Sequence, residues 1–161
     1  MAEQRLWAPW RLEYIASADE LEGCVLCRAA SAGDEEGLVV HRGEHCFVIL
    51  NAFPYNNGHL MIAPYAHVAS IEELGEPVLT DMMVLTKRSL AVLREEYGPE
   101  GFNIGLNQGK IAGAGVADHA HLHVVPRWGA DTNFMPVVGD TRVLPQLLSD
   151  SWRALSPRFA E

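Results

Sequence analysis

No stretch of the 161 residues approaches the ~18 consecutive apolar positions of a membrane-spanning helix. The opening MAEQRLWAPWRLEYI carries charges throughout and holds no continuous apolar core of signal-peptide length, so the cytoplasm is the expected compartment and no membrane partner is expected. Positive charge is scarce as well. Twelve Lys and Arg face 21 Asp and Glu, a formal balance of −9, which argues against a nucleic-acid polymer as partner because such binding rests on neutralising phosphates. A small anion is still compatible with this charge, since backbone N–H groups and histidines can hold phosphate in an acidic protein. Cysteine is limited to three residues, an odd number, and a reducing compartment disfavours a disulfide framework. There is no internal repeat, low-complexity tract or linker to a second domain, so residues 1–161, at 48% hydrophobic content, are expected to form one domain able to bury its own core.

What the chain does contain is histidine in an unusual pattern. In Asp118-His119-Ala120-His121-Leu122-His123-Val124-Val125-Pro126, three of the seven histidines alternate inside an apolar run. Read as a strand, the stretch puts His119, His121 and His123 on one side and Ala120, Leu122 and Val124 on the other, facing a core, with successive histidines roughly 6.5 to 7 Å apart. Three imidazoles so placed can share one metal, or can divide into a nucleophile and its supporting groups.

The remaining pattern is α+β. Leu38–His41 and His45–Leu50 read as two antiparallel strands around a turn at Arg42-Gly43-Glu44. A loop with Pro54 leads to a third strand, Gly58–Pro64, whose first glycine permits close backbone approach. Glu76–Tyr97 has the period of one long amphipathic helix with Pro77 in its first turn, stopped by Gly98-Pro99-Glu100-Gly101. Phe102–Asn107 returns as a fourth strand and the histidine stretch is the fifth. Residues from Leu144 to Leu155 suit a C-terminal helix, and Trp7, Pro9, Trp10 and Tyr14 an arm lying on the surface. Between strands four and five, Gln108 to Val116 is a loop rich in small residues with N–H groups suited to phosphate, although it matches neither nucleotide-loop fingerprint. Cys24 and Cys27 form a Cys-x-x-Cys that suits zinc or a redox pair. Cys46 lies in an apolar run and is expected in the core.

His119-Ala120-His121-Leu122-His123-Val124-Val125 resembles the signature of the histidine-triad nucleotide hydrolases and transferases. The likeness extends to Phe47–Asn51, Pro54, Gly58–Pro64 with His67, and Asn107-Gln108-Gly109, giving a core of residues 22–128 between an arm, 1–21, and an extension, 129–161. At the end of the core and in the extension, Pro126–Gly129, Asp131–Pro136 and Gly139–Leu147 are similar to the bacterial branch related to diadenosine tetraphosphate phosphorylases.

The resemblance implies a half-barrel of about five antiparallel strands with one long helix and a C-terminal helix, usually as a homodimer. It implies His121 as a nucleophile that forms a covalent nucleotidyl-histidine, with His123 bonding the phosphate or leaving group and His59 supporting the site. It further implies Asn51 at a ribose hydroxyl, Asn107 at the bridging oxygen, and Gln108, Gly109, Gly113 and Gly115 in a phosphate loop. Many members have Ser or Thr three residues before the first triad histidine, where this chain has Val116. In zinc-containing relatives the ligands fall at Cys24, Cys27, His67 and His119, a closed structural set, with His41 and His45 as competing ligands here. The acceptor for the nucleotidyl group is inorganic phosphate, favoured on the branch resemblance, or water. A second class of function is a metal-binding protein in which the three triad histidines ligate one ion, but such a site would have no need of Asn51, His59 and Asn107.

Overall fold

A computed structural model describes residues 23–129, 131 and 144–160. The N-terminal arm, Asn133–Pro136 and Gly139–Thr141 lie outside the described residues. In chain order the elements are α1 (Val25–Ser31), β1 (Val39–Arg42), β2 (Cys46–Leu50), β3 (Leu60–Pro64), α2 (Glu76–Tyr97), β4 (Gly101–Leu106), β5 (Leu122–Arg127) and α3 (Leu148–Leu155). The strands form one sheet in the order β1-β2-β3-β5-β4, antiparallel at every pairing. The long helix α2 separates β3 from β4, and β5 then lies between them, so the histidine-bearing strand is interior to the sheet.

Helix α2 runs over the expected residues. Pro77 sits in its first turn, and Gly98, at φ 55° and ψ 45°, ends it in the left-handed conformation that glycine adopts without a Cβ penalty. Its buried positions, Met82, Leu85, Thr86, Ser89, Val92 and Leu93, recur every three or four residues and so share one face. Thr86 and Ser89 can be buried there because each hydroxyl donates to a carbonyl one turn back, Met82 and Leu85, at 2.8 Å.

Strand alternation sorts the sheet into two faces. Cys46, Val48, Leu50, Leu60, Ile62 and Val124 meet α2 together with Leu155 of α3 and the following Phe159. Phe47, Ile49 and Ala63 point the other way, toward Leu26 of α1. Strand β2 is buried along its whole length because both faces are covered there. Cys46 is a core residue, as expected, fully buried with its Sγ near the Val78 carbonyl. Gly58 has φ 72°, and a Cβ there would lie 2.8 Å from the Tyr97 ring, so the glycine is needed on both counts.

Most strand ends shift by one or two residues from the sequence reading, and three differences are larger. Strand β5 starts at Leu122, so His119 and His121 precede it and only His123 is in the ladder. The cause lies in the neighbouring β3, where Pro64 has no N–H to offer; the Pro64 carbonyl instead accepts from His119 Nε2, and the Ala120 N–H turns to the Val68 carbonyl. Helix α1 occupies Val25–Ser31, where the sequence reading recognised only the cysteine pair. Helix α3 begins at Leu148 rather than Leu144, with Leu147 as its N-cap.

Candidate active site

The face of the sheet opposite α2 carries the triad histidines and His59, and their ring nitrogens are assigned by what each ring touches. The His121 Nδ1–H donates to the His119 carbonyl at 2.8 Å, which leaves Nε2 as the lone-pair nitrogen. His59 Nδ1 accepts the Tyr55 N–H at 3.1 Å, so the His59 proton lies on Nε2, 2.9 Å from His123 Nδ1. His123 then accepts at Nδ1 and keeps its proton on Nε2. The third triad member turns the other way: His119 Nε2–H donates to the Pro64 carbonyl at 2.9 Å, leaving Nδ1 as an acceptor. Main-chain groups and one neighbouring ring thus give His121 a nucleophilic nitrogen and His123 a donor. Burial lowers the His121 pKa below the ordinary histidine value against the opposing pull of the His119 carbonyl, which keeps the ring neutral. Burial likewise lowers His119, helped by His67 and His121 and opposed by its bond to Pro64.

His121 and His123 face a cavity of about 160 Å³ lined also by Asn51, Tyr55, Lys110 and the Gly113–Val116 loop. That volume is small for a nucleotide. A second cavity of about 510 Å³ shares Val25, Leu26, Asn51, Phe53 and Met61 with the first and extends it beneath α1. The joined space combines apolar walls from Val25, Leu26, Phe53 and Met61 with polar groups at Asn51 and the histidines, a form that suits a base and ribose leading to a phosphate. The Asn51 Oδ1 accepts the Phe53 N–H at 2.9 Å, a short turn that brings Phe53 to the rim.

Cys24, Cys27, His67 and His119 form a separate cluster whose four ligand atoms all lie within 4.8 Å of one another. Cys24 caps α1 and Cys27 is three residues on, so both thiols leave the same side of the helix end. The separations are 3.3 Å from Cys24 Sγ to His119 Nδ1, 3.4 Å from Cys27 Sγ to His67 Nδ1 and 3.3 Å between the two imidazole Nδ1 atoms. Burial and the adjacent Cys24 raise the Cys27 pKa, so a cation is what would favour the Cys27 thiolate. These four side chains could therefore hold a metal ion. The alternative trio does not form: His119 faces the cysteines, His121 bonds a carbonyl and His123 bonds His59. Neither competing ligand reaches the cluster. The His41 ring stacks on Phe159, and His45 lies 3.7 Å from Glu44.

The structure brings His121, His123, Asn51, Gly113 and Gly115 to one cavity, with His59 directly behind His123. It does not bring all the expected loop residues there. The Gln108 side chain turns away to accept the Ile71 N–H at 3.1 Å and to approach Glu72, while Asn107 lies on the far side of His123. Gly109 opens a short 3-10 turn with φ 85° rather than lining the cavity. The Arg127 guanidinium is bonded by Asp131 and Asn103. Sequence reasoning missed Val25, Leu26, Phe53, Tyr55 and Met61. Only the asparagine at 51, a turn former two residues before an aromatic, signalled any of them.

A HIT domain model matches residues 32–129. The chain is 41% identical over 165 residues to the AP-4-A phosphorylase of Mycobacterium tuberculosis, spanning 98% of this chain and 85% of that protein. It is 32% identical over 108 residues to an uncharacterised HIT-like protein of Methanocaldococcus jannaschii, covering 67% and 81% of the two. Among solved structures, a Zn-bound histidine triad family protein from Mycobacterium smegmatis superposes with a TM-score of 0.68 at 28% identity, covering 86% of this chain and 94% of that one. With the domain match spanning the sheet, the long helix and all three histidines, the chain belongs to the HIT domain family.

Proposed function

We propose that this protein is a nucleotidyltransferase that cleaves dinucleoside polyphosphates of the diadenosine tetraphosphate type, passing a nucleotidyl group through His121 to inorganic phosphate. The observation that carries the reading is the tautomer of His121: with Nδ1–H held by the His119 carbonyl, Nε2 keeps its lone pair on the side of the cavity that continues beneath α1. In the first displacement Nε2 bonds to the α-phosphorus and the bond to the bridging oxygen breaks, releasing a nucleoside triphosphate. His123 Nε2–H is the donor beside the departing oxygen. The nucleotidylated ring retains Nδ1–H and is cationic, stabilised by the same carbonyl and a good leaving group. In the second displacement a phosphate oxygen attacks phosphorus, the N–P bond breaks, and a nucleoside diphosphate departs. Lys110 and the N–H groups around Gly113–Gly115 supply positive charge and donors to the phosphoryl oxygens. Asn51 is read as the ribose partner and Asn107 as the amide at the bridging oxygen.

The similarity to an AP-4-A phosphorylase supports phosphate over water as acceptor. Incubation with and without labelled inorganic phosphate tests this. ATP plus ADP, with the label in ADP, is expected; phosphate-independent release of AMP would show hydrolysis.

The cluster at Cys24, Cys27, His67 and His119 is read as a structural zinc site. Ligands on a tetrahedral zinc with bonds of about 2.0–2.3 Å stand about 3.3–3.8 Å apart; four of the six ligand pairs here, at 3.3 to 3.5 Å, fit that set, and all six lie within 4.8 Å. When bound, the ion would tie α1 to the segment before β5 and take no part in transfer. No described helix is long and apolar enough to cross a membrane, and the cytoplasm stays our expectation. A homodimer is supported by the edge position of β4 and by the exposed apolar Ile104 on it, with Met83 and Val84 exposed on α2. Light scattering on the purified protein checks it.

A further inference from the structure

A third cavity, of about 510 Å³, lies beyond His123 on the side away from the first. His123 and Tyr55 line both, so they form the partition between them. The floor of this cavity is Gly105 of β4, which pairs in register with His123. Residues opposite one another in an antiparallel pair project from the same face, so any side chain at position 105 would stand beside the His123 ring. A Cβ built there meets nothing within 4 Å and the backbone is not in the left-handed region, so neither packing nor conformation demands the glycine. Its absent side chain keeps the cavity open.

The far wall holds a fixed cation. Arg127 donates from Nε to Asp131 at 2.5 Å, from its second terminal nitrogen to the other Asp131 oxygen at 3.2 Å, and from the first to Asn103 at 2.7 Å. Asp131 is in turn held by Asn56 at 2.8 Å. A guanidinium has five N–H donors, and these bonds use three, leaving one on each terminal nitrogen of a group already fixed in place. Asp131 cancels the net charge without consuming those two hydrogens. Such a group suits the oxygens of a polyphosphate chain better than it would attract a lone anion from solution.

We propose that this cavity is a second substrate site, which takes the departing half of the dinucleoside polyphosphate, with Arg127 donating to its distal phosphates. The inference rests on the proposed substrate class and extends it. One nucleotide occupies the space under α1, the scissile phosphorus lies at His121, and the polyphosphate runs past His123 into the pocket above Gly105. The departing nucleotide leaves opposite the attacking nitrogen of His121, so the pocket beyond His123 is where it belongs.

Binding to the His121→Asn protein, which cannot form the covalent intermediate, tests this by calorimetry with diadenosine tetraphosphate and with AMP. In that background the tetraphosphate should bind at least about tenfold more tightly than AMP, a gain expected of charge-assisted hydrogen bonds in the second site. Adding Gly105→Val should remove most of that gain by filling the cavity while AMP affinity stays within about twofold. Arg127→Gln should remove part of it and Arg127→Lys should restore some. A tetraphosphate affinity unchanged by Gly105→Val would overturn the second site, as would an equal loss for AMP. AMP binding with no gain for tetraphosphate would also overturn it. Failure of the His121→Asn protein to bind either ligand would instead overturn the nucleotide substrate itself.

Discussion

On one side of the sheet, Val48, Leu50, Leu60, Ile62 and Val124 meet the 22-residue α2 and the end of α3, and the core closes. On the other side the intervening residues of the same strands, Ile49, Met61 and His123, look into cavities roofed in part by the seven-residue α1. The strands serve both purposes because their side chains alternate; the covering elements make the difference. A long amphipathic helix excludes water along its full length, whereas a short one pinned at its first turn leaves room for a ligand. Polar groups on the two sides are also handled differently. Beneath α2, Thr86 and Ser89 spend their hydroxyls on their own helix. On the open side, histidines bond one another and the main chain in ways that fix which nitrogen is left for chemistry.

If the two faces do divide stability from chemistry, substitutions should split accordingly. The largest effect is expected from His121→Asn, which should lower kcat/KM by at least about 1,000-fold with melting temperature nearly unchanged. Retention of even a tenth of the activity, only ~1.4 kcal/mol of transition-state stabilisation, would remove His121 from the nucleophile role.

The mirror experiment is Leu93→Ala on the buried face of α2, at a fully buried position. It should cost about 2–5 kcal/mol in denaturant unfolding while the folded fraction keeps its kcat/KM. A matching loss of activity per folded molecule would erase the distinction between the faces.

The cysteine cluster joins the two behaviours, since it holds the wall of the open side. One zinc per chain is expected by metal analysis, and Cys24→Ser or His67→Ala should lose the metal together with several degrees of melting temperature. KM should rise more than kcat falls, because Val25 and Leu26 line the nucleotide space and α1 would loosen. Full zinc occupancy in both variants would defeat the ligand set.

The smallest effect concerns pH and belongs to the closed face. His41 stacks on Phe159, and its pKa is lowered by burial and by the nearby Arg88 cation, with Asp81 opposing. In the unfolded chain it protonates at about 6.5. Between that value and its lower folded pKa only the unfolded chain carries the proton, so stability falls as pH drops from 6.5 through that window. The melting temperature of His41→Gln should fall less than that of the wild type between pH 7 and 5.5; an equal fall would remove His41 as a contributor.

Much of this was legible in the chain because it is written in local periods. The helix Glu76–Tyr97 follows from a 3.6-residue pattern between a proline and a glycine, and β2 and β3 follow from continuous apolar runs. Local pattern failed where a distant partner decides the backbone. The stretch Asp118–His121 alternates like a strand, yet it leaves the ladder because the neighbouring residue across the sheet is a proline. The resemblance singled out His59, Cys24 and Cys27, which the structure places beside His123 and beside His67 and His119, but the inward or outward turn of Gln108 and Arg127 could not be read from motif position. Gln108 bonds the Ile71 N–H, and Arg127 is oriented by Asp131 and Asn103.

The sequence by itself determined which residues have the chemistry: three alternating histidines, a Cys-x-x-Cys, and strand and helix periods that bury one face of each element. The tertiary structure decided which atom each of those groups presents. An imidazole nitrogen is left as an acceptor or a donor according to what the other nitrogen touches, and those contacts, from the neighbouring His119 carbonyl to Pro64 and His59, set which nitrogen faces the open side. The two cavities beside His123 likewise exist only because strands far apart in sequence meet there, with a glycine at one of them.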